Sequence, residues 1–183
     1  MKKKFISRFM LAMLTVISGI AFTACGSDEP DPNPGKPDIP EKVISGYRVQ
    51  YSVTLAANMC EVAEVALAYT SDSFDESKKN HAILTPENSK VVMDYPASGQ
   101  GKEVAGSVEI FPKEGFTPDP EASYAVGAKI LIDVWTMYDN GENVHTSTVL
   151  PQGQSLTIKG DRVEDYISSY ANKPLCSQSF KLP

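Results

Sequence analysis

Cysteine is scarce in this chain, three residues in 183, and so are histidine, at two, and tryptophan, at one. Three cysteines exclude a dense disulfide scaffold and a four-cysteine zinc site. His81 and His145 have no second histidine at ligand spacing, so no metal is expected. Cations are outnumbered, 17 Lys and Arg against 23 Asp and Glu, for a formal charge of −6. Phosphate binding needs clustered cations, so nucleic acid is not an expected partner. No Gly-x-Ser-x-Gly, His-Glu-x-x-His or Cys-x-x-Cys occurs, and no cofactor is implied. Gly99-Gln100-Gly101-Lys102 has the glycines of a phosphate loop, but Glu103 stands where the magnesium-binding hydroxyl belongs. It reads as a polar turn. What remains, 42% hydrophobic and 22% charged, is the composition of one globular domain with appendages.

The first appendage is an address. Lys2, Lys3, Lys4 and Arg8 form a cationic head, and 9–22 is a run of fourteen uncharged, largely apolar residues ending at Thr23-Ala24-Cys25. The run is shorter than the roughly 18 to 20 residues of a membrane span. It predicts a secretory signal peptide over 1–24. Phe22-Thr23-Ala24-Cys25 resembles the lipobox of bacterial lipoproteins, with Phe22 in the place usually held by Leu. That resemblance implies cleavage before Cys25, acylation of its thiol and attachment to a membrane through the lipid. Several acyl chains at ~0.8 kcal/mol per buried CH₂ hold far more firmly than a single myristoyl chain.

Residues 25–43 read as a tether. Pro30, Pro32, Pro34, Pro37 and Pro40 interrupt an acidic stretch, and proline admits neither helix nor central strand there. Sixteen residues in polyproline geometry reach about 50 Å at ~3.1 Å each. Ser27-Asp28-Glu29 resembles the short acidic export signal of lipoproteins sent to the outer surface of the outer membrane, and Gly26 is unlike an inner-membrane retention signal. Removal of 1–24 takes away four cations and no acids. Thirteen cations then face twenty-three acids, a formal charge of −10. Attraction to anionic lipid is not the binding mode.

From Tyr47 the hydrophobic period is two. Tyr47, Val49, Tyr51, Val53 and Leu55 alternate with polar residues; Val65, Leu67 and Tyr69 predict a second strand, and Val91, Met93 and Tyr95 a third. Val104, Val108 and Ile110 predict another, broken at Gly106. The longest runs over 124–138, with Tyr124, Val126, Ala128, Ile130, Ile132 and Val134 facing the core. Asn140-Gly141 then signals a type I′ hairpin, returning over 144–150, with Leu156 and Ile158 on one more strand. Seven or eight short strands predict a mostly β, antiparallel β-sandwich over 44–160. Phe116-Thr117-Pro118, Tyr124-Ala125-Val126, Asn140-Gly141 and Ser147 resemble the E–F corner and strands F and G of immunoglobulin-like and fibronectin type III domains. The likeness implies an immunoglobulin-like sandwich.

One C-terminal helix is expected within 161–183, a segment that packs on the sandwich. Asp161 and Glu164 have the spacing of a capping box, and Val163, Tyr166, Ile167 and Tyr170 make one apolar stripe before Pro174. The outer face of the long strand carries Lys129, Leu131, Asp133, Trp135 and Met137. Counting back from the turn sets Val144, Thr146, Thr148 and Leu150 beside them. The helix stripe is expected to cover this face; left exposed, Leu131, Asp133, Trp135 and Met137 are the candidate binding face. A covered Asp133 needs a hydrogen bond or a lysine, with Lys129 in reach. Asp72, Asp75 and Glu76, and Asp139 with Glu142, read as solvated turns rather than calcium loops. Cys60 and Cys176 are an even pair for a disulfide once Cys25 is lipidated.

Together these predict a non-enzymatic, membrane-anchored envelope lipoprotein that binds a glycan or another envelope protein. The competing expectation is a small carboxylate-dependent glycan hydrolase, or its accessory subunit, using Asp72, Asp75 or Asp133.

Overall fold

A computed structural model describes residues 41–183. The signal peptide at 1–24, the lipidation of Cys25 and all but the end of the 25–43 tether lie outside the described residues.

The described chain forms eight strands: β1 Ile44–Leu55, β2 Ala63–Tyr69, β3 Asn80–Leu84, β4 Lys90–Pro96, β5 Glu103–Pro112, β6 Ser123–Tyr138, β7 Asn143–Lys159 and β8 Cys176–Lys181. Two short helices, α1 Met59–Val62 and α2 Val163–Ser168, join them. Sheet A has the order β4-β1-β6-β7 and sheet B the order β3-β2-β5-β8, with every pair antiparallel. Each consecutive couple (β1 and β2, β3 and β4, β5 and β6, β7 and β8) changes sheet and takes the same rank in both.

The period-two reading of β1 and β6 has the right phase. Tyr47, Val49, Tyr51 and Val53, like Tyr124, Val126, Ala128, Ile130, Ile132 and Val134, are buried between the sheets. At the junction of β1 and β2, Asn58 Oδ1 accepts the Ala125 N–H at 2.9 Å and Met59 Sδ lies 3.1 Å from the Gly127 nitrogen. These contacts pin α1 to β6 where the chain crosses between sheets. Strand β5 is continuous, not broken at Gly106. A Cβ there would meet Tyr51 Cδ1 and Ile130 Cδ1 at 2.8 Å, so glycine lets β5 lie against two large core side chains.

Three expectations fail at the C-terminal end. The return from the hairpin is a single seventeen-residue strand, β7, rather than two. The tail does not merely pack on the sandwich: β8 pairs with β5 from Glu103↔Lys181 to Val108↔Cys176. The helix is only six residues long and begins after a 3₁₀ turn at Gly160–Arg162, so Asp161 forms no capping box and Arg162 holds the N-cap without a side-chain bond. Val163 and Ile167 are buried, and Phe116, Pro112 and Val62 share their groove at the end of the sandwich. Tyr166 and Tyr170 stack edge-on at 5.2 Å.

Cys60 and Cys176 are both free thiols. Cys60 sits in α1, just before Ala63, which pairs with Pro112; Cys176 pairs with Val108 on the opposite side of β5. Four residues of strand at ~3.3 Å each, plus two strand spacings, exceed the ~7 Å Cα limit for a bridge. Burial pushes the Cys176 thiol up to about 11, with a hydrogen bond involving the Ile130 backbone opposing.

A buried tyrosine relay joins the sheets. Tyr95 Oη donates to the Thr70 carbonyl, beyond β2, at 2.7 Å, and Tyr51 Oη lies 2.9 Å from Tyr95 Oη. Burial is the main cause that raises both phenols above the usual 10.0, Tyr95 to about 12 against the opposing Tyr51 hydrogen bond. Below pH 10 both are protonated folded or unfolded, and their contribution to stability is complete. Above it the unfolded chain loses protons that the folded chain keeps, so stability falls as pH rises toward about 12. Tyrosinate absorbance should therefore show a late fraction that appears together with the loss of β-sheet circular dichroism. Ionisation of every tyrosine near pH 10 in a folded domain would contradict the burial.

Candidate functional site

The outer face of sheet A is built by registry. Across one row stand Asp94 on β4, Arg48 on β1, Trp135 on β6 and His145 on β7; across the next stand Val92, Gln50, Asp133 and Thr148. Leu131 and Met137 continue β6 in opposite directions. All four predicted face residues, Leu131, Asp133, Trp135 and Met137, point away from the core and are half-buried. Helix α2 does not cover them, because its stripe is occupied at the end of the sandwich. The expected cover is corrected: among the described residues, this face is left open.

The β7 neighbours also differ from the expectation, for two reasons. The turn is not type I′, which needs positive φ at both central residues. Only Gly141 has it, at 83°. Gly141 N–H donates to the Tyr138 carbonyl at 3.0 Å and Tyr138 N–H to the Glu142 carbonyl at 2.9 Å, which makes a three-residue loop with glycine in the left-handed position. A bulge follows. Val134 pairs with Ser147 but Trp135 with His145, leaving Thr146 as the extra residue. Thr146 Oγ1 accepts the Thr136 N–H at 3.0 Å and lies 2.8 Å from Thr136 Oγ1, so the bulge is closed by its own side chain. In consequence His145, not Val144 or Thr146, stands beside Trp135. Val144 pairs with inward-facing Thr136, and a second shift between Ile130 and Ile132 displaces Leu150.

The side chains on this face are organised. Arg48 Nε and Nη2 donate to the two Asp94 carboxylate oxygens, each at 2.7 Å. That hydrogen bond is the main cause holding the Asp94 carboxyl below its usual range, against partial desolvation. Asp133 finds its partner in Thr148, whose hydroxyl donates to Oδ1, with His145 Nε2 at 3.6 Å; Lys129 is not its partner. The Trp135 and His145 rings meet edge-on at 5.2 Å. Gln50 Nε2 donates to Ser52 Oγ at 3.1 Å.

Thr148, His145 and Asp133 are the residue types of a nucleophile relay, but the geometry is wrong for one. The same imidazole nitrogen faces both oxygens, 3.1 Å from Thr148 Oγ1, and the Thr148 proton goes to Asp133 rather than to the imidazole. A relay needs the base between nucleophile and acid, one nitrogen to each. Nor do Asp133 and Asp94 make a glycosidase pair. Their backbones lie two strands and one row apart, about 12 Å, and Arg48 binds both Asp94 oxygens and favours the ionised form, whereas one acid of such a pair must carry a proton.

The other acids go elsewhere. Asp72 and Asp75 lie in the β2–β3 loop, whose Phe74 ring packs 5.1 Å from Tyr95 on the inner side of sheet A, opposite Asp133. Asp75 Oδ1 accepts from Ser77 N–H and Oγ, and Glu142 pairs with Lys42 at 2.6 Å. Among the described residues no three of His, Cys, Asp and Glu gather as a metal site, and no helix is long and apolar enough to cross a membrane. Comparison with protein-family models, with curated proteins and with solved structures finds no match for the chain.

Proposed function

We propose that the chain is a non-enzymatic cell-envelope lipoprotein. It is anchored by acylated Cys25 at the outer surface of the outer membrane, and it binds a glycan or an envelope protein on the outer face of sheet A. The anchor rests on the cationic head, the short apolar run and Thr23-Ala24-Cys25. Binding rests on one observation above all: the only tryptophan stands half-buried in the middle of a sheet face that no described residue covers, flanked by Arg48 and His145. A half-exposed aromatic among hydrogen-bonding side chains is the common make-up of a recognition surface.

The immunoglobulin-like assignment is part of the same proposal and is supported at the β5–β6 corner. Asp119 N–H donates to Tyr124 Oη at 3.0 Å and Phe116 meets the Tyr124 ring edge-on at 5.9 Å, as a tyrosine corner would have it. Around that corner the strand order departs from the family, since β1 rather than the third strand lies beside β6.

The mature chain carrying Cys25→Ser should leave the membrane fraction, which makes it the reagent for the binding test. Titrated with a solubilised envelope extract, it should change its Trp135 emission, and the same chain with Asp133→Ala and Gln50→Ala should respond far less. An extract that leaves the emission unchanged would remove the binding reading.

A further inference from the structure

We infer that the occupant of this face is an uncharged oligosaccharide or polysaccharide, stacked on Trp135 and hydrogen-bonded along the adjoining row by Gln50 and Asp133; the inference rests on the reading of sheet A as the binding surface. Charge is the first argument. In a mature chain of formal charge −10, the surroundings of Trp135 are nearly balanced. Arg48 is spent on Asp94 through two 2.7 Å bonds, and Asp133 already accepts the Thr148 proton with His145 at 3.6 Å. A sulfated or phosphorylated chain wants surplus cations with free donors, and a basic protein wants surplus acid. Among the described residues no cation beside the ring is left unpaired, and the one acid without a Lys or Arg partner, Asp133, is a single carboxylate rather than a cluster.

The second argument is what surrounds the aromatic. Protein hot spots sit in packed apolar pockets from which water is excluded. Here the exposed apolar side chains of sheet A, Val92, Val144 and Leu150, all stand on its edge strands β4 and β7. On the two central strands Arg48, Gln50 and Asp133 stand around Trp135, with half-buried Met137 its one apolar neighbour along β6. A sugar ring has the complementary chemistry: a C–H face for the indole and a rim of hydroxyls that both donate and accept. Planar amide, carboxylate and imidazole groups can take neighbouring hydroxyls in pairs. Strands ~4.8 Å apart and rows ~6.7 Å apart bring the indole and the Gln50–Asp133 row within the span of one or two sugar rings.

The test is affinity electrophoresis of the mature Cys25→Ser chain through gels holding neutral glucans, mannans, xylans or galactans, or charged polygalacturonate or chondroitin sulfate. At least one neutral polysaccharide should retard the chain, with high salt leaving the retardation intact. Trp135→Ala should weaken it about tenfold or more, Asp133→Ala should weaken it less, and Ile83→Ala, an exposed residue on β3 of the other sheet, should not change it. Retardation by charged chains alone, abolished by salt, would overturn the inference. So would retardation that Trp135→Ala and Asp133→Ala leave untouched. If every polysaccharide fails while the envelope extract still moves the Trp135 signal, and protease rather than periodate destroys that activity, the occupant is a protein: the glycan inference falls and the binding face stands. If both experiments fail, both fall.

Discussion

Deletion of residues 175–183 is expected to unfold the domain at physiological temperature. The segment is the outer strand of sheet B: β8 closes the β5 edge through six register pairs, and Leu182, 1% exposed, packs near Gly99. Its ends are tied as well. Leu182 N–H donates to the Lys102 carbonyl at 2.9 Å, Gly101 N–H to the Leu182 carbonyl at 3.0 Å, and Tyr47 Oη to the Pro183 carbonyl at 2.7 Å. Burial of Leu182 alone is worth ~2–5 kcal/mol against alanine, and the lost ladder adds to it, against a typical total stability of ~5–15 kcal/mol. Leu182→Ala in the intact chain gives the graded version, and its urea midpoint should fall while the m-value holds. A truncated chain with the full-length midpoint would show that β8 contributes nothing.

The second large effect is at Tyr51. It is fully buried, its ring lies 5.5 Å from that of Tyr69, and Gly106 is held against it from the opposite sheet. Tyr51→Ala should cost ~3–5 kcal/mol, the range for truncating a large core aromatic. Single-atom variants separate packing from hydrogen bonding. Tyr95 spends its proton on the Thr70 carbonyl, so Tyr51 is the donor in the pair. Tyr51→Phe then removes one bond, ~0.5–1.5 kcal/mol. Tyr95→Phe strands both the Tyr51 hydroxyl and the Thr70 carbonyl, ~1–3 kcal/mol. Urea unfolding of the three variants should rank Tyr51→Ala, Tyr95→Phe, Tyr51→Phe in falling cost. The reverse order for the two phenylalanine variants would mean that the relay runs the other way.

These strands were the legible part of the sequence. β1 and β6 are long enough for alternation to fix their phase, and each residue named from the pattern is buried except Leu55, which is half-buried at the end of β1. β3 and β8 were missed because they are short and their apolar residues do not mark one face. In β3 it is Ile83 that is exposed, at 63%, while Leu84 is buried; β8 reads Cys-Ser-Gln-Ser-Phe-Lys, mostly polar. Pro151 and Gly153 disguised β7 as two strands. Gly153 has φ 127°, and a Cβ there would strike the Ala128 carbonyl, so it marks a close approach of two strands rather than an end.

The candidate face was half legible for the same reason. Leu131, Asp133, Trp135 and Met137 follow from the phase of β6 alone. Their neighbours depend on counting through a turn and a bulge, and a bulge at Thr146 has no signature in a run of Thr, Ser and His. Helix α2 was found from its stripe, but four apolar residues carry no information about which surface they will meet. Its placement at the end of the sandwich rather than on sheet A decides that Trp135 is available.

That availability is the central claim, and collisional quenching of Trp135 by acrylamide in the folded mature chain tests it most directly, since there is no other tryptophan to confuse the signal. The account predicts red-shifted native emission and quenching at a substantial fraction of the rate for a free indole, reduced when a bound saccharide covers the ring. Blue emission with almost no quenching would place Trp135 beneath a cover or inside the core and would contradict it.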